Sequence, residues 1–265
     1  MSPLGQTLAV NLAVLAVAMS LLWLLSLAKR DASLIDPMWG LGFVLVAWLS
    51  WWLNTQAGPR PMLLVVLTTL WGVRLSLYLV WRNWGQGEDR RYRAMRDHHG
   101  AKFWWVSLFT VFLLQALLLW FVSWPIQVVA SATEQSPLNW LDGLGLLLWA
   151  IGFAFESIGD WQLARFQADP KNAGRVLDRG LWRFTRHPNY FGDFCVWWGI
   201  FMITVSGGAY WTVLSPVLMS FLLLKVSGVV LLERTITNRR PDYVAYRKRT
   251  NAFFPGPPKA VGGEK

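Results

Sequence analysis

Seven long apolar segments constrain the fold of this chain more than any other feature of its sequence. They are residues 8–28, 34–53, 62–81, 103–124, 138–158, 191–206 and 210–232. Most of them approach the roughly 20 residues that a helix needs to cross a bilayer. They raise the hydrophobic share of the chain to 54% and its mean hydropathy to +0.35, above what soluble domains usually contain. The pattern predicts an all-α integral membrane protein with about seven transmembrane helices and a tight turn at Gly207 and Gly208.

The charges of the connecting loops predict the orientation. The loops after the first, third, fifth and seventh segments contain 22 of the 25 Lys and Arg residues. Because basic residues accumulate on the cytoplasmic side, the N-terminus is expected outside and the C-terminus in the cytoplasm. The expected location is a bacterial inner membrane, or the endoplasmic reticulum in a eukaryote. The net charge of +10 is explained by these loops, so the lipid bilayer is the expected partner and nucleic acid is not. Residues 1–258 are expected to form a single membrane-embedded domain, and residues 259–265 a disordered tail.

Ionisable residues inside the apolar segments are the first candidates for function. Each costs roughly 2.5–3.5 kcal/mol to insert at the centre of a membrane helix, so its presence calls for a reason. The candidates are Asp36, Arg74, Glu156, Asp160, Asp193, Lys225 and Glu233. Several polar residues are spaced by four, which places them on one helix face. The structural alternatives are snorkelling to lipid headgroups or a structural ion pair for Arg74 and Lys225, and a helix N-cap for Asp36.

Motifs for metals, nucleophiles and soluble nucleotide folds are absent from the sequence. The adjacent His98 and His99 are interpreted as part of a solvated basic loop, and no His or Glu spacing typical of a metal site lies on an apolar segment. The single Cys195 lies in an apolar run and is interpreted as a small buried hydrophobe. No metal is therefore expected.

One short stretch concentrates basic, aromatic and acidic groups between two apolar segments. It runs over residues 179–193 and reads RGLWRFTRHPNYFGD. With flanking residues from Glu156 to Pro255, it resembles the C-terminal domain of steroid 5-alpha-reductases and sterol reductases. That domain is distantly similar to isoprenylcysteine carboxyl methyltransferases. A more general similarity, to an uncharacterised bacterial branch of this group, extends through residues 36–40 (DPMWG) and 71–76 (WGVRLS).

The resemblance implies a cofactor site in residues 156–255. Arg-His-Pro-x-Tyr is common to both enzyme types, whereas the Asn-Tyr-x-Gly-Asp continuation is similar to the reductases that bind NADPH. The residues that the resemblance assigns to the cofactor are Glu156, Asp160, Arg175, Arg186, His187, Asn189, Tyr190, Asp193, Glu233 and Tyr246. Carboxylates and amides can bind ribose or carboxamide groups, and Arg binds phosphate. Arg183, Arg186 and the tail's basic residues 247–249 are candidates for the phosphates; the tail could instead contact only anionic lipid.

The substrate end of the site departs from the steroid reductases. Where those enzymes hold a substrate carbonyl with a Gln-Glu pair and a Tyr, this chain has Ile35-Asp36, with Trp71 near the position of the Tyr. Asp36 and Tyr78 are therefore the predicted catalytic pair. The prediction is an NADPH-dependent reductase of an activated C=C bond in a hydrophobic, steroid-like or other lipid enone. Two alternatives remain open: an S-adenosylmethionine-dependent membrane methyltransferase and a non-enzymatic scaffold or transporter.

Overall fold

The computed structural model describes residues 1–54, 58–133, 136–226 and 242–259, and these residues form helices, turns and loops without a strand. The helices, numbered in chain order, are α1 (Pro3–Lys29), α2 (Ile35–Leu53), α3 (Pro59–Asn83), α4 (Arg90–His99), α5 (Phe103–Ser107), α6 (Leu114–Val122), α7 (Trp124–Ala130), α8 (Trp140–Ala168), α9 (Pro188–Ser206), α10 (Leu214–Phe221) and α11 (Tyr243–Arg249). Two π-helical segments, Leu108–Leu113 and Leu222–Val226, continue α5 and α10.

Five helical stretches have the length and composition needed to cross a membrane. They are Pro3–Lys29, Ala32–Leu53, Pro59–Asn83, Arg90–Val122 and Trp140–Ala168. The all-α class is confirmed, and these stretches support an integral membrane protein. A total of seven spans and the orientation of the termini stay predictions. The sixth expected segment forms α9, whereas the end of the seventh and most of the expected tail lie outside the described residues.

Local chemistry explains where several helices begin and end. The expected turn at Gly207 and Gly208 is confirmed, with Gly208 at φ +83°, a left-handed conformation that suits glycine. The interpretation of Asp36 as an N-cap is wrong. Asp31 caps a short 3₁₀-helix, Ala32–Leu34, and Asp36 lies inside the first turn of α2. The interpretation of His98 and His99 as loop residues is also wrong, because they form the end of α4.

The chain packs as two compact units. The N-terminal unit consists of Met1–Asn139 with Thr204–Thr212, and the C-terminal unit of Trp140–Ile203 with Val213–Lys265. The expected single domain 1–258 stays a prediction. The predicted catalytic pair belongs to the first unit, and the predicted cofactor residues that the structure describes belong to the second.

In the N-terminal unit, α2 and α3 pack at the two motifs 36–40 and 71–76. A Cβ atom on Gly40 would lie 2.3 Å from the carbonyl oxygen of Gly72, and one on Gly72 would lie 2.6 Å from that of Gly40. The Ser76 hydroxyl donates a hydrogen bond of 2.6 Å to the Pro37 carbonyl. Small residues allow helices in membranes to approach this closely. The motifs therefore form a helix-packing contact.

A buried arginine fixes the loops of the same unit. Arg60, 1% exposed, lies in the first turn of α3. Its guanidinium donates to both oxygens of Ser136 and to the Pro137 carbonyl, and it donates to the Ser206 hydroxyl at 3.1 Å. It therefore holds the start of α3, the segment before α8 and the end of α9 in one place.

Candidate functional site

Glycines bring α8 and α9 of the C-terminal unit into direct backbone contact. Cβ atoms at Gly152 and Gly192 would lie 2.5 and 2.6 Å from each other's carbonyl oxygens. Gly145, seven residues before Gly152 in α8, and Gly199, seven residues after Gly192 in α9, are in reciprocal contact in the same way. A seam of this kind leaves no room for side chains between the helices at these levels. Polar groups beside the glycines are thereby buried.

The seam carries most of the acidic residues predicted to bind the cofactor. Glu156, Asp160 and Asp193 are only 3%, 4% and 9% exposed. The Asn189 amide nitrogen at the start of α9 donates a hydrogen bond of 3.1 Å to an Asp160 carboxylate oxygen. Glu156 lies beside Gly192, because a Cβ on that glycine would be 2.4 Å from the Glu156 nitrogen. The sequence spacing of four is confirmed as a shared helix face in both α8 and α9, and the structure brings these four predicted residues together.

The loop before α9 is fixed to α8 by side chains that the sequence analysis did not select. The Gln162 carboxamide oxygen accepts the Leu181 N–H at 3.0 Å, and the Trp182 indole N–H donates to the Gly159 carbonyl at 3.1 Å. Gly180 has φ +62°, and a Cβ there would lie 2.4 Å from the Gln162 side chain. Gly180 is required both by its conformation and by this close approach.

The other side of the loop is fixed to the tail. The Arg186 guanidinium donates to the carbonyls of Arg247 and Thr250 at 3.0 and 2.8 Å, where α11 ends and its carbonyls need donors. The Tyr246 hydroxyl donates to the Trp182 carbonyl. Burial raises the pKa of this phenol, so it remains a donor. Arg186 and Tyr246, both predicted to contact the cofactor, thus hold the loop in position; whether they also contact a ligand stays a prediction.

The remaining predicted cofactor residues lie in different surroundings. His187 is buried, and its ring stacks on Tyr190 with centroids 5.6 Å apart and planes 6° from parallel. Arg175 is exposed on the loop between α8 and α9. Glu233 lies outside the described residues. The structure therefore brings His187 and Tyr190 together as a ring pair, and it places Arg175 at the surface.

In the N-terminal unit, Asp36 is bound by residues other than Tyr78. The Tyr92 hydroxyl donates to one carboxylate oxygen of Asp36 at 2.7 Å, and Arg91 forms an ion pair with the other at 2.9 Å. Tyr78 lies on α3 with its ring 6.2 Å from that of Trp81, and Arg82 lies over it. The tyrosine that hydrogen-bonds to Asp36 is therefore Tyr92, which lies on α4. Sequence reasoning missed Tyr92 because α4 was assigned to a loop; a tyrosine within a basic, amphipathic stretch was the available signal.

A second carboxylate anchors α4 beside this contact. Glu88 accepts two hydrogen bonds from the Arg96 guanidinium, at 2.7 and 3.0 Å, and one from the Ala32 backbone N–H at 2.9 Å. Burial alone would raise the pKa of Glu88, but these donors lower it below its usual value. The bidentate pair fixes α4 against the turn that precedes α2.

A half-open cavity of about 530 Å³ lies at the end of α8 in the C-terminal unit. Its lining is partly aromatic and partly basic and consists of Trp161, Gln162, Arg165, Phe166, Asp169, Asn172, Leu177, Arg179 and Gly180. Of the predicted cofactor residues that the structure describes, none lines this cavity. In the described parts of the chain, no cluster of three or more His, Cys, Asp or Glu residues could hold a metal ion.

Comparison with known proteins identifies the family and goes no further. Searches of curated proteins and of solved structures each found no match. The profile of a family described as "Protein of unknown function (DUF1295)" matches residues 22–250, which include both helix-packing motifs, the α8–α9 seam and the loop at 179–193. This match spans most of the chain, and the protein therefore belongs to the DUF1295 family.

Proposed function

We propose that this protein is an NADPH-dependent membrane reductase that adds hydride to an activated C=C bond of a hydrophobic enone. The observation that carries the proposal is the array along the α8–α9 seam of two buried carboxylates, Asp160 and Asp193, and the half-buried Asn189 amide that donates to Asp160. Carboxylate and amide groups of this kind can hydrogen-bond the ribose hydroxyls and the carboxamide of a nicotinamide nucleotide. The resemblance of residues 179–193 to the sterol reductases supports the same assignment.

The surrounding charge also supports a dinucleotide. Residues 165–186 contain six Arg or Lys residues and only two acidic ones, and they border the end of α8 and the loop that leads into α9. A positive surface attracts a polyanion, and Arg in particular binds phosphate with two parallel hydrogen bonds.

The contact between Asp36 and Tyr92 supplies the proposed acid for the substrate carbonyl. NADPH, when bound, supplies hydride to the carbon β to the carbonyl. The electron pair of the C=C bond then moves toward the carbonyl oxygen, where Tyr92 would stabilise the negative charge and donate its proton. The Tyr92 hydroxyl, which donates to Asp36 in the structure, would turn to the carbonyl oxygen for this step. Protonation of the α carbon from solvent would then return the enol proton to Tyr92 and leave the saturated carbonyl product, and Asp36 would again orient the phenol. This assignment replaces Tyr78 with Tyr92 as the preferred phenol.

A specific observation favours the methyltransferase as a second candidate. Glu156, Asp160 and Asp193 place three carboxylates in one buried seam. Carboxylates stabilise a nearby cation, and S-adenosylmethionine carries a sulfonium and an ammonium group. The two candidates therefore differ in the charge of the cofactor that the seam would hold.

Calorimetric titration of the purified protein with each cofactor tests the proposal. NADPH is expected to give saturable heat and S-adenosylmethionine none. Asp193→Ala should weaken NADPH binding by about 10- to 100-fold, since hydrogen bonds to charged groups contribute roughly 1.5–3 kcal/mol. Asp97→Ala, an exposed position of α4, serves as the control. Saturable heat from S-adenosylmethionine alone would favour the second candidate, and heat from neither would leave a non-enzymatic protein.

A further inference from the structure

The cavity at the end of α8 contains two arginines without a counterion. Among residues 1–54, 58–133, 136–226 and 242–259, the structure records no ion pair or hydrogen bond for the guanidinium groups of Arg165 and Arg179. Arg165 lies over the ring of Trp161, 5.4 Å from its centroid, so its guanidinium is held at the cavity wall. Arg179 also lines the cavity, and it lies on the loop between α8 and α9, directly before Gly180. With Arg165, Arg179 and one carboxylate, Asp169, the lining carries a net positive charge, which favours an anionic ligand.

The walls of this cavity are fixed before any ligand binds. Gln162 binds the Leu181 N–H and thereby holds the segment that carries Arg179 against α8. The Asn172 side chain donates to the Phe166 carbonyl at 2.9 Å, and Asp169 accepts the Lys171 N–H at 2.9 Å. Asp169, the acidic residue of the lining, thus accepts a hydrogen bond from the backbone of the same loop. A preformed cavity binds its ligand with little loss of conformational entropy.

The lining of the cavity is apolar as well as cationic. Phe166 and Leu177 are both buried and both line it. A ligand that suits this lining combines a flat or apolar body with a phosphate group. Its volume of about 530 Å³ lies in the usual range of small-molecule sites, roughly 300–1,000 Å³. A phosphorylated nucleoside meets each of these requirements.

The cavity also lies at a suitable distance from the polar seam. Arg165 follows Asp160 by five residues and Glu156 by nine on the same continuous helix, which corresponds to about 7.5 and 14 Å along its axis. A dinucleotide in an extended conformation covers a distance of this order. In addition, the carbonyls of Arg247 and Thr250 already occupy donors of Arg186, the phosphate ligand that the sequence suggested.

We propose that this cavity binds the phosphorylated adenosine end of NADPH, with Arg165 and Arg179 contacting its 2′-phosphate, and that these two arginines make the enzyme prefer NADPH over NADH. This inference rests on the proposed reductase function. It assigns phosphate binding to the cavity instead of to Arg186 and the tail. The tail then serves to hold the loop before α9 in position.

The test compares NADPH and NADH binding to the full-length protein in lipid nanodiscs. The wild-type protein should bind NADPH at least 10-fold more tightly than NADH. The double variant Arg165→Gln/Arg179→Gln should lose at least 10-fold in NADPH affinity, with NADH affinity changed less than 3-fold. Lys171→Gln, which removes one cation from the segment bordering the cavity, should change neither. A melting temperature close to that of the wild type would establish that the double variant is folded.

The outcomes separate the two proposals. If the wild type binds neither dinucleotide, the proposed function fails and this inference fails with it. If the wild type binds NADPH and the double variant keeps the same preference over NADH, only the assignment of the cavity is overturned. Loss of phosphatidylglycerol binding in the double variant, with an unchanged preference for NADPH, would also overturn it and would identify a lipid headgroup site.

Discussion

Two helix pairs in this protein are joined by reciprocal glycine contacts, yet they bury different chemistry. In the α2–α3 pair, Gly40 and Gly72 touch, and a Ser76 hydroxyl bound to a backbone carbonyl is the polar group at the contact. In the α8–α9 pair, glycines touch at two levels, and carboxylates and an amide lie beside them. Close glycine packing is therefore a structural device common to both units.

The difference lies in what happens to the acidic residues. In the N-terminal unit, the carboxylates of Asp36 and Glu88 lie at helix ends, where Arg91 and Arg96 neutralise them. In the C-terminal unit, Glu156, Asp160 and Asp193 lie along the helix seam, where Asp160 accepts a hydrogen bond from the Asn189 amide. Burying polar groups in a membrane helix pair is costly when apolar residues would pack as well. We therefore expect the polar groups of the α8–α9 seam to bind a ligand.

Overfilling the seam should give the largest effect. Gly152→Leu introduces a side chain where even a Cβ would lie 2.5 Å from a backbone oxygen, so the helices must separate. We expect a loss of about 3 kcal/mol or more in stability, at or above the usual range for overpacking. Gly143→Leu on the same helix is the control, because a Cβ there meets nothing within 4 Å. Thermal unfolding in detergent, followed by tryptophan fluorescence, measures both. Equal melting temperatures would show that the seam is not closely packed.

Replacing Asp160 and Asn189 together should weaken NADPH binding and leave stability nearly unchanged. The double variant Asp160→Leu/Asn189→Leu replaces both partners of a partly buried hydrogen bond, a change that is often neutral or stabilising. We expect stability to change by less than about 1 kcal/mol while NADPH binding falls by at least 10-fold. Melting curves and calorimetry on the same preparation provide the two readouts. A large loss of stability with binding intact would show that the seam is structural in both units.

Much of the helical framework could be predicted from apolar length alone, because membrane spans are defined by composition. The first and third expected segments fall within α1 and α3, and the second begins one residue before α2. By contrast, the basic segment around His98 looked like a loop, since α4 is polar and is held as a helix by Asp89, Glu88 and Asp36 contacts. The Asp89 contact is local, because its side chain caps α4 from the position before the helix, whereas the Asp36 partner is 55 residues distant and no local pattern revealed it.

The candidate site was predictable to a similar degree. Spacing of four identified the shared faces of Glu156 with Asp160 and of Asn189 with Asp193, because both helices are continuous there. The roles of Arg186 and Tyr246 were not predictable, since their partners belong to the tail and the loop. Sequence alone shows which side chains are polar, but it does not show which of them already form hydrogen bonds with backbone groups.

A smaller change tests the structural role of the α2–α3 contact. Ser76→Ala removes the hydrogen bond to the Pro37 carbonyl and leaves that buried acceptor without this donor. The expected cost is about 1 kcal/mol, the usual net contribution of a hydrogen bond, with no change in NADPH affinity. Ser20→Ala, which removes a hydrogen bond within α1 at a half-buried position, is a suitable control for the loss of a helical serine. Weaker cofactor binding in Ser76→Ala would show that this contact also shapes the site.

The smallest expected effect is a dependence of stability on acid in the N-terminal unit. Although burial opposes ionisation, the hydrogen bonds from Arg96 and Ala32 lower the pKa of Glu88 in the folded protein. A lowered folded pKa means that this stabilisation is fully present above the unfolded pKa, about 4.3, and is lost as the pH falls through the folded pKa. Glu88→Gln should therefore cost less than about 1 kcal/mol at pH 7. The difference in melting temperature between the variant and the wild type should shrink as the pH is lowered from 6 toward 3. A difference that stays constant over this range would mean that the carboxylate charge of Glu88 does not stabilise α4.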